Sequence, residues 1–278
     1  MKKKPLPIAR ITALVICSVV ALFVLLPLVA VVVGSLRTNG ELISAPFSWP
    51  QQLHWENYGH ILSDPSTFWQ YLLNSIIVLI ETLALLLVVS CPAAFVLARM
   101  VFPGREIIFN TYLLGLLFPI TLAILPIYIM IRSLGLLDSL NGVVFPQTAF
   151  FLPTTILILR NFFRAIPREL EDAAAIDGAS SMHFFWLILL PLSRPALAVV
   201  TMLATVTSWN NFLLPLVALT NQSNLTIPVG ALQFQGQYAS DWVSVLAFLT
   251  LAMIPAIAVY LLAERQIVAG LTAGAVKG

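Results

Sequence analysis

Charge is scarce in this sequence. Asp, Glu, Lys and Arg make up 9% of its 278 residues, against roughly 25% in soluble domains, so a chain of this size cannot clothe a water-facing globule with it. Cysteine is nearly absent. Cys17 and Cys91 both fall in apolar runs, which excludes a disulfide framework and a cysteine-based metal centre. Of the three histidines, His54 and His60 have no second-ligand pattern, and His183 has no Cys, His or acid at metal-ligand spacing. No GxxxxGK(S/T) loop occurs, so the chain lacks a P-loop with which to hold ATP. There is no internal repeat and no low-complexity linker. The net charge of +2 reports membrane topology and requires no nucleic-acid footprint.

What the sequence has instead is apolar runs. Six stand out, at about residues 11–36, 70–98, 107–131, 142–160, 195–219 and 242–263, each close to or above the roughly 20 residues that cross a bilayer core as a helix. Helices satisfy their own backbone hydrogen bonds, as lipid demands. The reading is an all-α polytopic membrane protein with six transmembrane helices, forming a single membrane domain over 1–278. Met1-Lys2-Lys3-Lys4 ahead of an apolar run could open a signal peptide. That run is too long for one, and no small-x-small cleavage site follows it, so it reads as an uncleaved first span. Pro119 and Pro126 predict a kink or local unwinding in the third span. Ser193, before Arg194-Pro195, predicts a cap for the fifth.

Basic residues orient the spans. With the N-terminus inside, the inner segments hold Lys2, Lys3, Lys4, Arg10, Arg99, Arg105, Arg160, Arg164, Arg168, Arg194, Arg265 and Lys277, whereas the outer ones hold only Arg37 and Arg132. Such an asymmetry fixes both termini in the cytoplasm. It also puts the stretch DAAAIDGASSMHFFWLILLP, Asp172–Pro191, on the cytoplasmic side.

That stretch is the one acid-bearing polar segment of any length between long apolar runs. Pro167 can begin a helix with its φ preset, which places Glu169, Glu171 and Asp172 near the positive end of the helix dipole. Ala173, Ala174 and Ala175 favour the helix and leave its surface thin enough for close approach. Gly178 suits the left-handed residue that ends a helix. Ser180 or Ser181 can cap a second short helix whose Phe184, Phe185 and Ile188 face apolar surroundings. The product is a helix–turn–helix with a small-residue knob.

In these residues the chain resembles the permease subunits of bacterial ABC importers, whose cytoplasmic signature reads E-A-A-x3-G-x9-I-x-L-P. Here the positions are Asp172, Ala173, Ala174, Gly178, Ile188, Leu190 and Pro191, with Asp177 also fitting. Aspartate replaces the leading glutamate, and Glu171 stands just before it. SWNNFLLPL (Ser208–Leu216), IVAGLTAGAVKG (Ile267–Gly278) and LARMVFPGR (Leu97–Arg105) resemble the carbohydrate-uptake branch of that family, and within it the shorter maltose-transporter permease. The resemblance implies a type I ABC importer permease fold with a coupling loop at about 164–192. Its ATPase-coupling residues would be Glu171, Asp172, Ala173, Ala174, Asp177, Gly178, Ala179, Ile188, Leu190 and Pro191. It implies a bacterial cytoplasmic-membrane complex with a second, non-identical permease, an ATPase dimer and an extracytoplasmic sugar-binding protein. It implies no catalytic residue, metal or cofactor in this chain, ATP and Mg being bound by the ATPase.

Two further features carry alternatives. Glu81 is the one carboxylate well inside a span. It is either a functional ionisable group, or a hydrogen-bonding partner to a neighbouring helix or subunit, or a carboxyl held protonated. Trp209, Asn210 and Asn211 either line a sugar path, with an aromatic face and amides suited to hydroxyl-rich ligands, or bond between helices. Asn110 and Gln147 read as ordinary interhelical amides. An ion-coupled secondary transporter of a small solute is the rival function, but it needs coupling-ion ligands or inverted repeats. An intramembrane enzyme needs convergent reactive groups at depth, and none is visible.

Overall fold

The computed structural model describes residues 7–46, 48–234 and 241–275, with the backbone alone for 7–9, 259 and 262–275. Lys2–Lys4, Lys277 and the last three residues of the expected tail lie outside the described residues. The fold is all-helical, with no strand among the described residues. Two compact units emerge, one of residues 1–68 and 231–255, the other of residues 69–230 and 256–278.

The first unit contains α1 (Pro7–Gly34), α2 (Asn39–Ser44), α3 (Glu56–Ser63) and the start of the final helix. Within Arg10–Gly34, α1 contains an 18-residue run with a mean hydropathy of 3.1 and no buried residue, so only lipid or another protein can shield it. Its end is fixed instead. Arg37 is buried and donates to the carbonyls of Ala45 and Pro46 at 3.0 Å, and Asn57 donates to those of Ser35 and Arg37. Thr38 and Glu41 close a reciprocal capping box on α2. The sequence predicts an irregular segment up to Thr67, whereas the chain forms two short helices there. Trp49 and Trp55 remain exposed.

The second unit is built on α4 (Gln70–Arg99) and α7 (Asn141–Ala165), which pack together along their lengths. Between them come α5 (Arg105–Leu114) and α6 (Ile120–Ser133). After α7 follow α8 (Glu169–Ile176), α9 (Ser181–Phe184), a wide π turn at Phe185–Leu189 and α10 (Leu190–Leu192). Next are α11 (Arg194–Trp209), which packs on both α4 and α7, α12 (Leu213–Ala218) and α13 (Ile227–Gly230). The last helix, α14 (Trp242–Ala275), carries the expected tail as continuous helix as far as Ala275.

Where the sequence predicts six crossings, three helices among the described residues are long and apolar enough alone, or five if each of two bent pairs counts as one. The stretch containing α5 and α6 is bent by 103°. Phe118 is extended there and Pro119 caps α6, because proline disfavours helical geometry in the residue before it. Pro126 lies inside α6 without breaking it. The expected fifth span, 195–219, stops at Trp209 and resumes at Leu213. In an unbroken helix Pro215 would lack an N–H and press on the carbonyl of Asn211. Ser193 does not cap α11. It is fully buried, and its hydroxyl donates back to the Leu189 carbonyl at 2.7 Å, where the chain turns by 74°.

Candidate functional site

The acid-bearing stretch folds as a helix–turn–helix. Ile166 ends α7 in an extended conformation, the one favoured before a proline. The first helix starts two residues later than Pro167 suggests, at Glu169, with the Arg168 carbonyl taking the N–H groups of Glu171 and Asp172. Gly178 has φ +81°. The Ala179 N–H reaches back to the Ala174 carbonyl at 2.9 Å and the Gly178 N–H to that of Ala175 at 3.0 Å. This is the double closure of a Schellman motif, which needs a left-handed residue between the two bonds. Ser180, rather than Ser181, caps the second helix through the His183 N–H. The π turn then absorbs the backbone bond that Pro191 cannot make.

One side of this motif is built into the second unit. Ala174, Phe184, Phe185 and Leu189 are buried with Phe95 and Ala98 of α4, Leu159 and Phe163 of α7, and Ala196 and Val200 of α11. The rings of Phe95 and Phe185 lie 5.0 Å apart. Ala179, Ile188 and Leu190 are half-buried against the same cluster, so with Ala174 four of the expected coupling positions fasten the motif.

The other side is open. Asp172, Ala173, Asp177, Gly178 and Pro191 are exposed. So are four large apolar side chains to which the sequence reading gave no role: Ile176 at 87%, Met182 at 60%, Trp186 at 58% and Leu187 at 61%. The last three line a cleft of about 410 Å³ with Ser180 and His183. Their signal was present in the sequence, as apolar residues in a segment otherwise marked by acids and small side chains.

Two arginines staple this end of the unit. Arg99, at the end of α4, donates to the Ile166 carbonyl at 2.7 Å and meets the Glu171 carboxylate at 3.6 Å, so the base of α8 is tied directly to α4. Arg160 donates to the Leu97 carbonyl at 3.0 Å, pairs with Glu106 at 2.5 Å and stacks 3.7 Å over the Phe109 ring. Counting positive charges by loop does not reveal either pairing.

A second polar site lies between α4, α7 and α11. Gln147 is buried, donating to the hydroxyls of Thr82 at 3.0 Å and Ser208 at 2.7 Å and accepting from the Asn211 amide at 2.6 Å. Asn211 also accepts from the Leu214 N–H, which helps start α12. Asn210 is exposed and bonds only the Val206 carbonyl within its own helix. With Trp209 and Tyr260 it lines a cleft of about 180 Å³. Asn110 is exposed on α5. Glu81 is exposed on α4 and has no side-chain partner among the described residues.

Gln147→Leu is expected to strip three polar groups of their shared partner and to lower the stability of the purified protein by about 0.6–2 kcal/mol, the usual worth of an interhelical bond in membranes. Thermal unfolding in detergent measures it. An unchanged melting temperature would mean that the network holds nothing together.

At the opposite end of the unit, Asp138 joins two loops. Its carboxylate accepts from the backbone N–H groups of Thr220 and Asn221, at 3.0 and 2.8 Å, and its own N–H donates to Ala218. Burial raises the Asp138 carboxyl, but the hydrogen bonds from Asn221 and Thr220 outweigh it and hold it below the usual carboxylate range. Asn74 and Ser75, at the start of α4, bind the same loop through Ser223, Leu225 and Ile227.

Comparison with known proteins adds to this geometry. Residues 90–272 match the family model of the binding-protein-dependent transport system inner membrane component. A diacetylchitobiose uptake system permease of Streptomyces coelicolor is 34% identical over 91% of this chain and 84% of its own length. A trehalose/maltose transport system permease of Thermococcus litoralis is 34% identical over 97% of both chains. An arabinooligosaccharides transport system permease of Bacillus subtilis is 29% identical over 97% of this chain and 96% of its own. Among solved structures, a chain of a bacterial ABC transporter involved in importing the acidic polysaccharide alginate superposes with a TM-score of 0.80. That match has 24% identity and covers 95% of this chain and 98% of the other, which establishes a shared fold.

Proposed function

The chain belongs to the family of binding-protein-dependent transport system inner membrane components, as a carbohydrate-uptake ABC permease, and from that premise we propose that it forms one half of a sugar-translocation path and is driven through its helix–turn–helix by a separate ATPase. One observation carries the proposal. The motif is buried on one side in the core of α4, α7 and α11, and on the other presents Ile176, Met182 and Trp186 openly. Apolar side chains so exposed beside acids mark a protein-docking surface. Six crossings with both termini inside fit the distribution of basic residues, with Arg99, Arg160 and the motif at one end of the unit and the Asp138 loop at the other.

The mechanism follows from how the motif is attached. An ATPase seated on Ile176 and Trp186 would displace α8 when its two copies close on ATP. Arg99, gripping Glu171 and the Ile166 carbonyl, passes that displacement to α4. The aromatic cluster around Phe95, Phe163 and Phe185 passes it to α7 and α11, so the helices move with the motif. Swinging them between inward- and outward-facing arrangements gives alternating access. ATP and Mg belong to the ATPase, since this sequence has no P-loop. The assembly requires a second, non-identical permease and an external binding protein that delivers the sugar. Trp209 and Asn210, with Tyr260, suit the substrate path, because an aromatic face and an amide complement a pyranose. Asn211, half-exposed, borders the same break while holding Gln147.

Ile176→Asp tests the docking surface. The tagged chain, purified from its own membranes, is expected to lose most of its ATPase subunit while retaining its helical content by circular dichroism. ATP-dependent uptake of labelled diacetylchitobiose, maltose or trehalose, the sugars in the names of relatives, reads transport in vesicles. ATPase retained at the wild-type level would remove the surface from the mechanism. Uptake that follows an ion gradient instead of ATP would reverse the functional assignment.

A further inference from the structure

The apolar helical stretch Pro65–Arg99 is 35 residues long and contains an 18-residue run with a mean hydropathy of 2.6, and Glu81 lies near the midpoint of the stretch. Any membrane-crossing segment of roughly 20 residues chosen from Gln70–Arg99 contains Glu81, so this carboxyl sits in the hydrocarbon layer however the helix slides. Thr82, the next residue, is fully buried in the Gln147 network. Glu81 itself faces away from its own unit.

The surface around it is apolar. Leu73, Ile76, Ile80 and Val88 are all exposed, at 51%, 36%, 60% and 69%, and Ala84 is exposed between them. Their spacing of three and four residues draws one stripe along α4. Such a stripe would suit lipid but for Glu81. An ionisable side chain turned into the bilayer centre costs several kcal/mol, and such groups therefore face partners or water. Ala84, one turn further on, lets a second helix come close, as small residues do at membrane helix interfaces.

We propose that this stripe is the contact face for the second permease chain, and that the partner offers Glu81 an arginine, lysine or amide donor at mid-bilayer. The inference rests on the heteromeric reading above. A second copy of this chain is the wrong occupant, because a twofold contact repeats one patch on both sides. Centred here it would set two carboxylates together, and like charges in one site oppose ionisation.

The test uses the assembled complex in its own membranes, with Ala84→p-benzoylphenylalanine or Val88→p-benzoylphenylalanine as the photoreactive probe. Irradiation is expected to join this chain to the second permease. Adducts with lipid alone, or with a second copy of this chain, overturn the proposal. In parallel, Glu81→Gln should co-purify the partner permease to within about twofold of wild type. Glu81→Leu should lower it about 3- to 30-fold, matching one lost interhelical hydrogen bond. Equal recovery with leucine also overturns the proposal. Intact ATP-driven sugar uptake in the unsubstituted complex, alongside lipid-only adducts, would sink this inference and leave the function standing. Failure of that uptake would strike the function itself.

Discussion

Gly178→Val is expected to lower ATP-driven uptake by at least about tenfold, the equivalent of some 1.4 kcal/mol, while the chain still reaches the membrane. The backbone at Gly178 has φ +81°, where a side chain costs roughly 1–2 kcal/mol and a β-branched one is a severe outlier. No atom lies within 4 Å of the Cβ that would be added, so the substitution meets no clash inside the chain. Its effects are therefore confined to the conformation of the turn and to whatever docks on it. The Schellman bonds of Ala179 and Gly178 set the angle between α8 and α9, and with it the position of Ile176 relative to Met182 and Trp186. Gly178→Asn separates the two effects, since asparagine accepts the left-handed conformation. It should keep more uptake than valine if the turn dominates, and no more if bulk against the ATPase dominates. Vesicle uptake and the yield of co-purified ATPase measure both. Normal values of each with valine would end the case for this turn as a coupling element.

Arg99→Glu is expected to be the most damaging single change in the second unit. The Arg99 side chain is 2% exposed, and the replacement carboxylate would face Glu171 and the Ile166 carbonyl with no donor. Breaking a buried pair so that one charge is left uncompensated typically costs about 3–5 kcal/mol. Glu171 is 32% exposed at its side chain, so water can relieve its share, and the penalty falls mainly on the new group. Steady-state protein in the membrane, read by immunoblot, should drop at least about tenfold for a loss of that size. Arg99→Lys should fare better, keeping a charge but losing the fork that serves a carbonyl and a carboxylate together. The double swap with Glu171→Arg should recover only part, because it restores an ion pair and leaves the Ile166 carbonyl without its donor. Wild-type abundance of Arg99→Glu would show that α8 is not held at this point.

Much of this was legible in the sequence, for physical reasons that also explain what was missed. The apolar runs forecast α1, α4 and α7 closely, because hydropathy over some 20 residues integrates many weak preferences into one strong one. Gly178 was legible because a left-handed helix end has few occupants. Prolines were harder. Pro119 and Pro215 accompany real breaks, whereas Pro92, Pro126, Pro146 and Pro153 sit inside continuous helices, where surrounding helices can satisfy the freed carbonyls. Ser193 matched a cap pattern, yet its hydroxyl found a better acceptor one turn earlier. The staples were invisible to local reading. Arg99 and Ile166 are 67 positions apart, and Gln147 meets Asn211 across 64. No periodicity pairs residues so distant; only the packing of α4 and α11 on α7 brings them together. The sequence reading placed Asn210 and Asn211 in one cluster, and the structure turns them to different tasks.

The aromatic cluster that seats the helix–turn–helix also bears on how the protein is made. Phe95 of α4 and Phe163 of α7 share their core with Phe184, Phe185 and Val200, all of which leave the ribosome later. Until those residues emerge, the C-terminal ends of α4 and α7 have no complete packing surface, and a nascent chain in that state exposes the apolar area that invites misassembly. Synthesis thus has a vulnerable interval that opens when α4 is complete and closes only when the start of α11 has been delivered. A translational pause or a truncation within 165–195 would strand the chain there. The element proposed to take orders from an ATPase in the finished transporter is, during biogenesis, the plug that lets the membrane helices finish folding.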